Sequence, residues 1–201
     1  MTADHVKLTK LLEDIRACKI CKDLPLGPNP ILQIDQSAKI LIVGQAPGRI
    51  THLKNIPFDD PSGTRLRKWM GVTKEMFYND KTIAILPMGF CYPGTGKSGD
   101  LPPRPECAPA WRESVLESLN NVKMTVIIGS YAIKYHVSDG RNITLTQRVS
   151  EWKSMFPKQI ILPHPSPRNN RWLKQNPWFE KDVLPAFQSE IAKILNPDGF
   201  E

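Results

Sequence analysis

The fold is decided by the stretch Lys39-Ile40-Leu41-Ile42-Val43-Gly44-Gln45-Ala46-Pro47-Gly48. After its lysine, the first half is short, apolar and partly β-branched, as a buried parallel strand is. Glycine then permits close backbone approach and proline stiffens the turn, so the loop can aim backbone N–H groups and one side chain into a pocket. Taken alone, this loop is more typical of an ordinary turn between a strand and a helix.

Three further runs share the character of this strand, at residues 82–86, 125–128 and 159–162. Helical patterns alternate with them, which predicts an α/β fold: a single three-layer αβα domain, residues 1–201, around a four-stranded, mainly parallel sheet. The predicted helices are residues 3–17, 62–69 with Ser62 as the N-cap, a short helix capped by Thr73, and residues 111–119, 131–136 and 178–195.

Composition narrows the class of protein. The 201 residues suffice to bury a core without disulfides, and no run approaches the length needed to span a bilayer. The first residues lack the layout of a secretory signal, so we expect a cytoplasmic protein with no membrane partner. We also expect a monomer. The net charge of +7 suits a polyanionic partner, although many basic proteins bind no nucleic acid.

Polar residues follow the predicted strands, where ligands bind in open parallel sheets. Strand two leads into a long loop through Cys91, and strand four leads into His164 and a proline-stiffened segment. That segment carries basic and amide side chains suited to a DNA groove from which a base has left. A lone histidine is usually structural, but one directly after a strand in this setting is a site candidate.

The segment Gly94-Thr95-Gly96-Lys97-Ser98-Gly99 looks like a phosphate-binding loop but does not meet its pattern. The pattern needs glycine where Cys91 stands, and no helix pattern opens at Ser98, since prolines follow. The sequence therefore argues against nucleotide hydrolysis.

Two of these loops carry a family resemblance. Gly44-Gln45-Ala46-Pro47-Gly48 after strand one and His164-Pro165-Ser166-Pro167 after strand four look like the signature motifs of the uracil-DNA glycosylase superfamily. The resemblance runs from about Leu11 to Leu195. It implies an enzyme of base-excision repair that flips a damaged base out of DNA and hydrolyses its N-glycosidic bond.

The cysteines resemble those of one branch of that superfamily. Cys18 and Cys21 form a Cys-x2-Cys pair, and Cys91 and Cys107 follow strand two, as in the iron–sulfur branch often called family 4. The resemblance implies a [4Fe–4S] cluster on these four thiolates, which would order the Gly- and Pro-rich loop between the last two. Zinc on the same thiolates is the alternative, and free thiols are the remaining one.

The resemblance also implies roles for single residues. Gln45 would hold the attacking water, and neutral His164 would donate a hydrogen bond to the uracil oxygen. Phe58, in the Pro57-Phe58 pair, matches the phenylalanine on which the flipped base stacks. The remaining predicted base-binding residues are Gly44, Met88 and Gly89, and the predicted DNA-binding residues are Pro47, Ser166, Arg168, Asn169 and Arg171.

The predicted active site diverges from that branch at three positions. Gln45 stands where the branch has glutamate, Pro87 where an asparagine reads the base, and Arg168 where relatives often place an aliphatic wedge. Asp59 and Asp60, beside Phe58, are candidates to supply the missing carboxylate.

We therefore expect a DNA glycosylase acting on a deaminated base, with uracil preferred. The alternatives are a glycosylase for another deaminated base such as hypoxanthine, and a DNA-damage-binding protein with little turnover. An enzyme acting on free nucleosides is a third class, against which the basic segment after His164 argues.

Overall fold

The core of the fold is a parallel sheet, seen in a computed structural model that describes residues 3–97, 99–137 and 139–196. The strands in these residues are β1 (Ile40–Val43), β2 (Ile83–Ile85), β3 (Thr95–Gly96), β4 (Gly99–Asp100), β5 (Met124–Ile128) and β6 (Gln159–Leu162). The main sheet has the order β2-β1-β5-β6 with every pairing parallel. This confirms the predicted α/β fold and its four-stranded parallel sheet.

The central strand is buried from end to end, as its uninterrupted apolar run predicts. Every residue of β1 is buried, with Ile40 paired to Ile83 on one side and to Met124 on the other. Gln33, in the loop after the first helix, forms an isolated antiparallel bridge with Ile85. This bridge places the N-terminal loop against the outer strand β2.

Helices flank the sheet. Their bounds are α1 (Ala3–Arg16), α2 (Arg49–Lys54), α3 (Pro61–Met70), α4 (Lys74–Phe77), α5 (Glu113–Glu117), α6 (Ser130–His136), α7 (Leu145–Ser150), α8 (Asn170–Gln175) and α9 (Leu184–Leu195). A π-helical turn, Ala108–Arg112, leads into α5, and another, Phe179–Val183, leads into α9. No helix in the described part of the chain is long and apolar enough to cross a membrane.

The cap of α3 differs from the prediction. The N-cap is Asp60 and not Ser62: the Asp60 carboxylate accepts a hydrogen bond from the Gly63 N–H at 2.8 Å, while Pro61 occupies the first turn. Proline suits that position because its fixed φ is helical and its missing N–H is not needed there. The predicted cap of α4 is confirmed, since the Thr73 hydroxyl accepts from the Met76 N–H.

The segment after β6 is more helical than the sequence indicated. A 3₁₀ turn, Pro167–Asn169, follows His164, and α8 begins at Asn170. The helices α2 and α7, of six residues each, were not predicted either. Between Cys91 and Cys107, β3 and β4 pair in an antiparallel hairpin, and Ser98, at which no helix was predicted to open, lies outside the described residues.

Candidate active site

The floor of the site is formed where β1 and β2 run on past their carboxyl ends. The N–H of Met88 donates to the Gly44 carbonyl at 2.8 Å, and the N–H of Gly89 donates to the Gln45 carbonyl at 2.9 Å. These bonds continue the pairing of the two strands into the Gly44–Gly48 loop. The loop is therefore fixed by the sheet, as a site that positions a water or a base requires.

Phe58 is held beside this loop in a strained backbone conformation. A Cβ on Gly44 would lie 3.7 Å from Phe58 Cζ, so glycine leaves room for the ring. Phe58 has φ of 54°, which is rare for a residue with a side chain. Its carbonyl accepts from Arg67 Nη1 at 3.2 Å, and its ring meets Phe77 edge-on. Strain that the surroundings maintain in this way is typical of functional positions.

His164 is fixed in one tautomer by its own loop. The Ser166 N–H donates to His164 Nδ1 at 3.2 Å, and the Asn169 amide donates to the His164 carbonyl at 2.7 Å. Because Nδ1 accepts, the proton of the neutral ring lies on Nε2. The imidazole therefore offers one N–H donor from its far edge.

The electrostatics of the site keep this imidazole neutral. Burial lowers the pKa of His164 below the ordinary 6.5, against the opposing effect of the negative charges of Asp60 and Asp100, and the positive charge of Arg168 lowers it further. Neutral His164 can donate its Nε2 N–H to a developing anion. Asp100, which the sequence did not single out, thus lies within electrostatic reach of His164.

Gln45 is oriented by the segment that joins Cys91 to Cys107. Its amide nitrogen donates to the Leu101 carbonyl at 2.9 Å. The carboxamide oxygen is then the atom through which Gln45 can accept from a water molecule. This geometry suits the water-holding role predicted for it.

Arg65 clamps the loop of His164 onto α3. Its Nη1 donates to the Ser166 carbonyl at 3.0 Å, and its Nη2 donates to Asn170 Oδ1 at 2.8 Å. A guanidinium suits this task because its planar fork donates in two directions at once. No sequence pattern links an arginine of one helix to a loop 101 residues away, which is why Arg65 escaped prediction.

The predicted DNA-binding residues divide by exposure. Arg168 and Arg171 are exposed, as contacts to phosphate require, whereas Pro47 is buried. Ser166 uses its hydroxyl to accept from the Arg168 N–H, and Asn169 uses its amide to hold His164. The two arginines are therefore the members of this set best placed to meet a backbone from outside.

The predicted base-reading backbone at the end of β2 is largely occupied. The N–H groups of Met88 and Gly89 bond to the neighbouring loop, as described above. The carbonyls of Leu86 and Pro87 accept from Nη1 of Arg112 at 3.1 and 2.7 Å. Arg112 is fully buried, and burial lowers its pKa to about 10.

Arg112 is itself supported on its other side by a histidine. Its Nη2 lies 2.7 Å from Nε2 of His136, which places the proton of that neutral imidazole on Nδ1. Burial, followed by the charge of Arg112, lowers the pKa of His136 to about 4. The pair anchors β2 without a carboxylate.

The four cysteines line one pocket between the N-terminal segment and the loop after β2. Cys18, Cys21, Cys91 and Cys107 share it with apolar neighbours such as Leu24 and Phe90. Burial raises the pKa of Cys91 to about 11 and that of Cys107 to about 12, so without a metal both are protonated thiols. In residues 3–97, 99–137 and 139–196, no group of three or more His, Cys, Asp or Glu side chains stands in an arrangement that could hold a metal ion.

The chemistry around this pocket nevertheless suits a sulfur-rich group. The Phe90 N–H donates to Cys107 Sγ at 3.3 Å. Trp111 Nε1 and Arg104 Nε are buried without a hydrogen-bond partner in the described structure, and both residues line the pocket. Orphaned N–H donors beside four thiols are the groups that hydrogen-bond to cluster sulfur. The types of donor suit a cluster although the thiols are not gathered into a ligand set, and the cluster stays a prediction.

Comparison with known proteins identifies the family. The model of the uracil DNA glycosylase superfamily matches residues 32–188, which include both motif loops. The chain therefore belongs to the uracil DNA glycosylase superfamily, and it is a DNA glycosylase, a hydrolase of N-glycosyl bonds. This confirms the family predicted from the two motifs; membership of the iron–sulfur branch stays a prediction.

Two solved structures are similar to the chain. One is a solution NMR structure of a protein from Methanosarcina acetivorans provisionally assigned as a uracil DNA glycosylase, with 17% identity, a TM-score of 0.47, and coverage of 79% of this chain and 94% of that chain. The other is a crystal structure of wild-type SMUG2 from Pedobacter heparinus, with 17% identity, a TM-score of 0.33, and coverage of 80% of this chain and 77% of that chain.

Proposed function

We propose that the chain excises uracil from DNA, with His164 as the group that stabilises the departing base. One observation carries the proposal: the hydrogen bond from the Ser166 N–H to His164 Nδ1 leaves a neutral imidazole with its proton on Nε2. As the glycosidic bond stretches, negative charge collects on the oxygens of the base. A neutral donor fixed before the reaction stabilises that charge without reorganisation.

The other residues of the site supply binding and the nucleophile. Phe58, held beside Gly44, offers a ring face on which a flipped base can stack. Gln45, oriented by Leu101, holds a water through its carboxamide oxygen. The water oxygen bonds to the sugar carbon as the carbon–nitrogen bond breaks, and the electron pair of that bond leaves with the base. The bound water then loses one proton, which ends in solvent.

Selectivity for uracil rests on fewer contacts to the base than an asparagine at position 87 would provide. Pro87 has no donor, and the backbone groups beside it bond to the protein. Recognition then depends on His164 and on stacking, which other bases also satisfy. This observation favours hypoxanthine as a second substrate.

A single-turnover assay tests the proposal. DNA oligonucleotides carrying one uracil or one hypoxanthine are incubated with excess wild-type protein, with His164→Ala, and with His5→Ala in α1 as the matched control. We expect abasic product from wild type and His5→Ala, and a rate at least about 100-fold lower for His164→Ala, as for loss of an oxyanion donor. Salt-sensitive DNA binding without product from either base would instead identify a damage-binding protein with little turnover.

We also propose that the four pocket cysteines hold a [4Fe–4S] cluster, whose role is to order the loop after β2. The shared pocket and the orphaned donors of Trp111 and Arg104 support it. Protein purified without oxygen should be brown and contain about four iron and four sulfide per chain, as the cluster formula requires. Colourless protein containing one zinc per chain would overturn the cluster, and Trp111→Phe should alter the visible spectrum of a true one.

A further inference from the structure

Asp100 ends the hairpin strand β4 and lies against the Gly44–Gly48 loop. Its Oδ2 is 3.3 Å from the place that a Cβ on Gly48 would occupy. The next residue, Leu101, accepts from the Gln45 amide and donates its own N–H to Gly94 at 2.8 Å. The carboxylate is therefore carried on a backbone that is fixed on both sides and joined to Gln45.

The second motif loop lies close to the same carboxylate. After the larger effect of Asp60, the negative charge of Asp100 also acts on the His164 imidazole. The Arg168 guanidinium packs over Gly99, where a Cβ would overlap it. Asp100 thus stands near both loops that enclose the reacting sugar in the proposed function. A negative charge there would face the positive charge that develops on the sugar as the base leaves.

The two carboxylates next to Phe58 in the chain take part in other interactions. Asp59 pairs with Lys54 at 3.0 Å and with Lys74 at 3.5 Å. Asp60 caps α3 through the Gly63 N–H. Neither contacts Gln45 in the hydrogen bonds described above, whereas the segment of Asp100 does.

We propose that Asp100 is the catalytic carboxylate of this site, in place of a glutamate at position 45. The inference rests on the proposed glycosylase function. In the step, the water held by Gln45 bonds to the sugar carbon, the glycosidic electron pair leaves with the base, and the proton of the water passes to Asp100 and then to solvent. Before that transfer, the same charge stabilises the cationic sugar.

The kinetic test uses Asp100→Asn and Asp100→Ala, with exposed Asp80→Asn as the matched control. We expect the single-turnover rate of both Asp100 variants to fall about 100-fold or more, within the range for a lost general base. The melting temperature should stay near that of wild type, because Asp100 is exposed, and DNA affinity should not fall, because the substitution removes a negative charge. Added formate should partly restore Asp100→Ala, and Gln45→Glu should partly restore Asp100→Asn; a merely structural role predicts neither rescue. Rates for both Asp100 variants within about threefold of wild type would overturn the proposal.

A binding test keeps the inference separate from the proposed function, since it needs no turnover. The probes are DNA duplexes with a cationic pyrrolidine or a neutral tetrahydrofuran in place of the damaged nucleotide. Wild type should prefer the cation by at least about tenfold, equivalent to 1.4 kcal/mol, and Asp100→Asn should lose that preference. Wild type that cleaves no base yet shows this preference contradicts the proposed catalysis but not the position of Asp100. A preference that survives in Asp100→Asn, or is lost only in Asp60→Asn, would overturn the inference.

Discussion

The backbone N–H of Ser166 donates to Nδ1 of His164, so the second motif loop is folded around an unprotonated nitrogen. Protonation at Nδ1 would set two N–H groups against each other. Burial lowers the pKa of His164 below 6.5, so the neutral ring persists at pH values at which a free histidine is half charged.

The lowered pKa of His164 predicts how the cleavage rate depends on pH. The folded state binds the His164 proton less tightly than the unfolded chain, so the loop keeps its full stability above pH 6.5 and loses it as the pH falls through the lowered value. The single-turnover cleavage rate should stay level from pH 8 down to pH 6.5 and decline only in more acid solution. A decline already centred near pH 7 would contradict the neutral-donor role.

The second prediction concerns Arg65. Arg65→Lys keeps the charge but cannot donate to both Ser166 and Asn170 in the same planar geometry. We expect a cleavage rate about tenfold lower, consistent with a lost charged hydrogen bond. Arg16→Lys, at the exposed end of α1, is the control and should leave the rate unchanged. If both variants cleave alike, Arg65 does not position the loop.

The third prediction tests the strained segment at Phe58. A Cβ on Gly63 would overlap the Phe58 carbonyl oxygen, so Gly63→Ala must move that backbone or α3. Gly27→Ala is a stringent control, because Gly27 has φ of +76° but nothing within 4 Å of an added Cβ. Urea unfolding should show a cost of about 1–2 kcal/mol for Gly27→Ala and clearly more for Gly63→Ala. Equal costs would mean that the close approach is easily relieved.

The fourth prediction is a stability effect of His136. Burial and the adjacent Arg112 lower the pKa of His136 from 6.5 to about 4. Protons therefore bind the unfolded chain more tightly than the folded one. The contribution of His136 to the free energy of unfolding is complete above pH 6.5 and is lost as the pH falls towards 4. The loss from this residue is at most about 3 kcal/mol. Denaturant unfolding at pH 7.5 and pH 4.5 should show a smaller acid loss in His136→Gln than in wild type. An acid loss in His136→Gln as large as that of wild type would contradict this contribution.

The four strands of the main sheet and both motif loops could be predicted because their signals are local. An apolar run that ends in Gly44 or in Pro163 and His164 marks a strand and the edge where ligands bind, whatever surrounds it. The π-helical turns that lead into α5 and α9 could not be predicted, because they depend on details of packing that a periodic pattern does not show.

The residues that the sequence missed are those placed by tertiary contacts. Asp100 stands in a Gly- and Pro-rich loop with no periodic pattern, and only the hairpin of β3 and β4 brings it to Gly48. Arg65 belongs to an ordinary-looking helix. The cap of α3 was misassigned to Ser62 although Asp60-Pro61 is itself a recognisable start signal.

The segment from Cys91 to Cys107 connects the cysteine pocket with the loop of Gln45. Its ends contribute thiols to the cysteine pocket, and its middle supplies Leu101 and Asp100 to the loop of Gln45. Oxidation of these thiols is therefore expected to inhibit the reaction through the segment that carries Leu101 and Asp100. It would slow base removal without any change to His164 or Gln45 themselves.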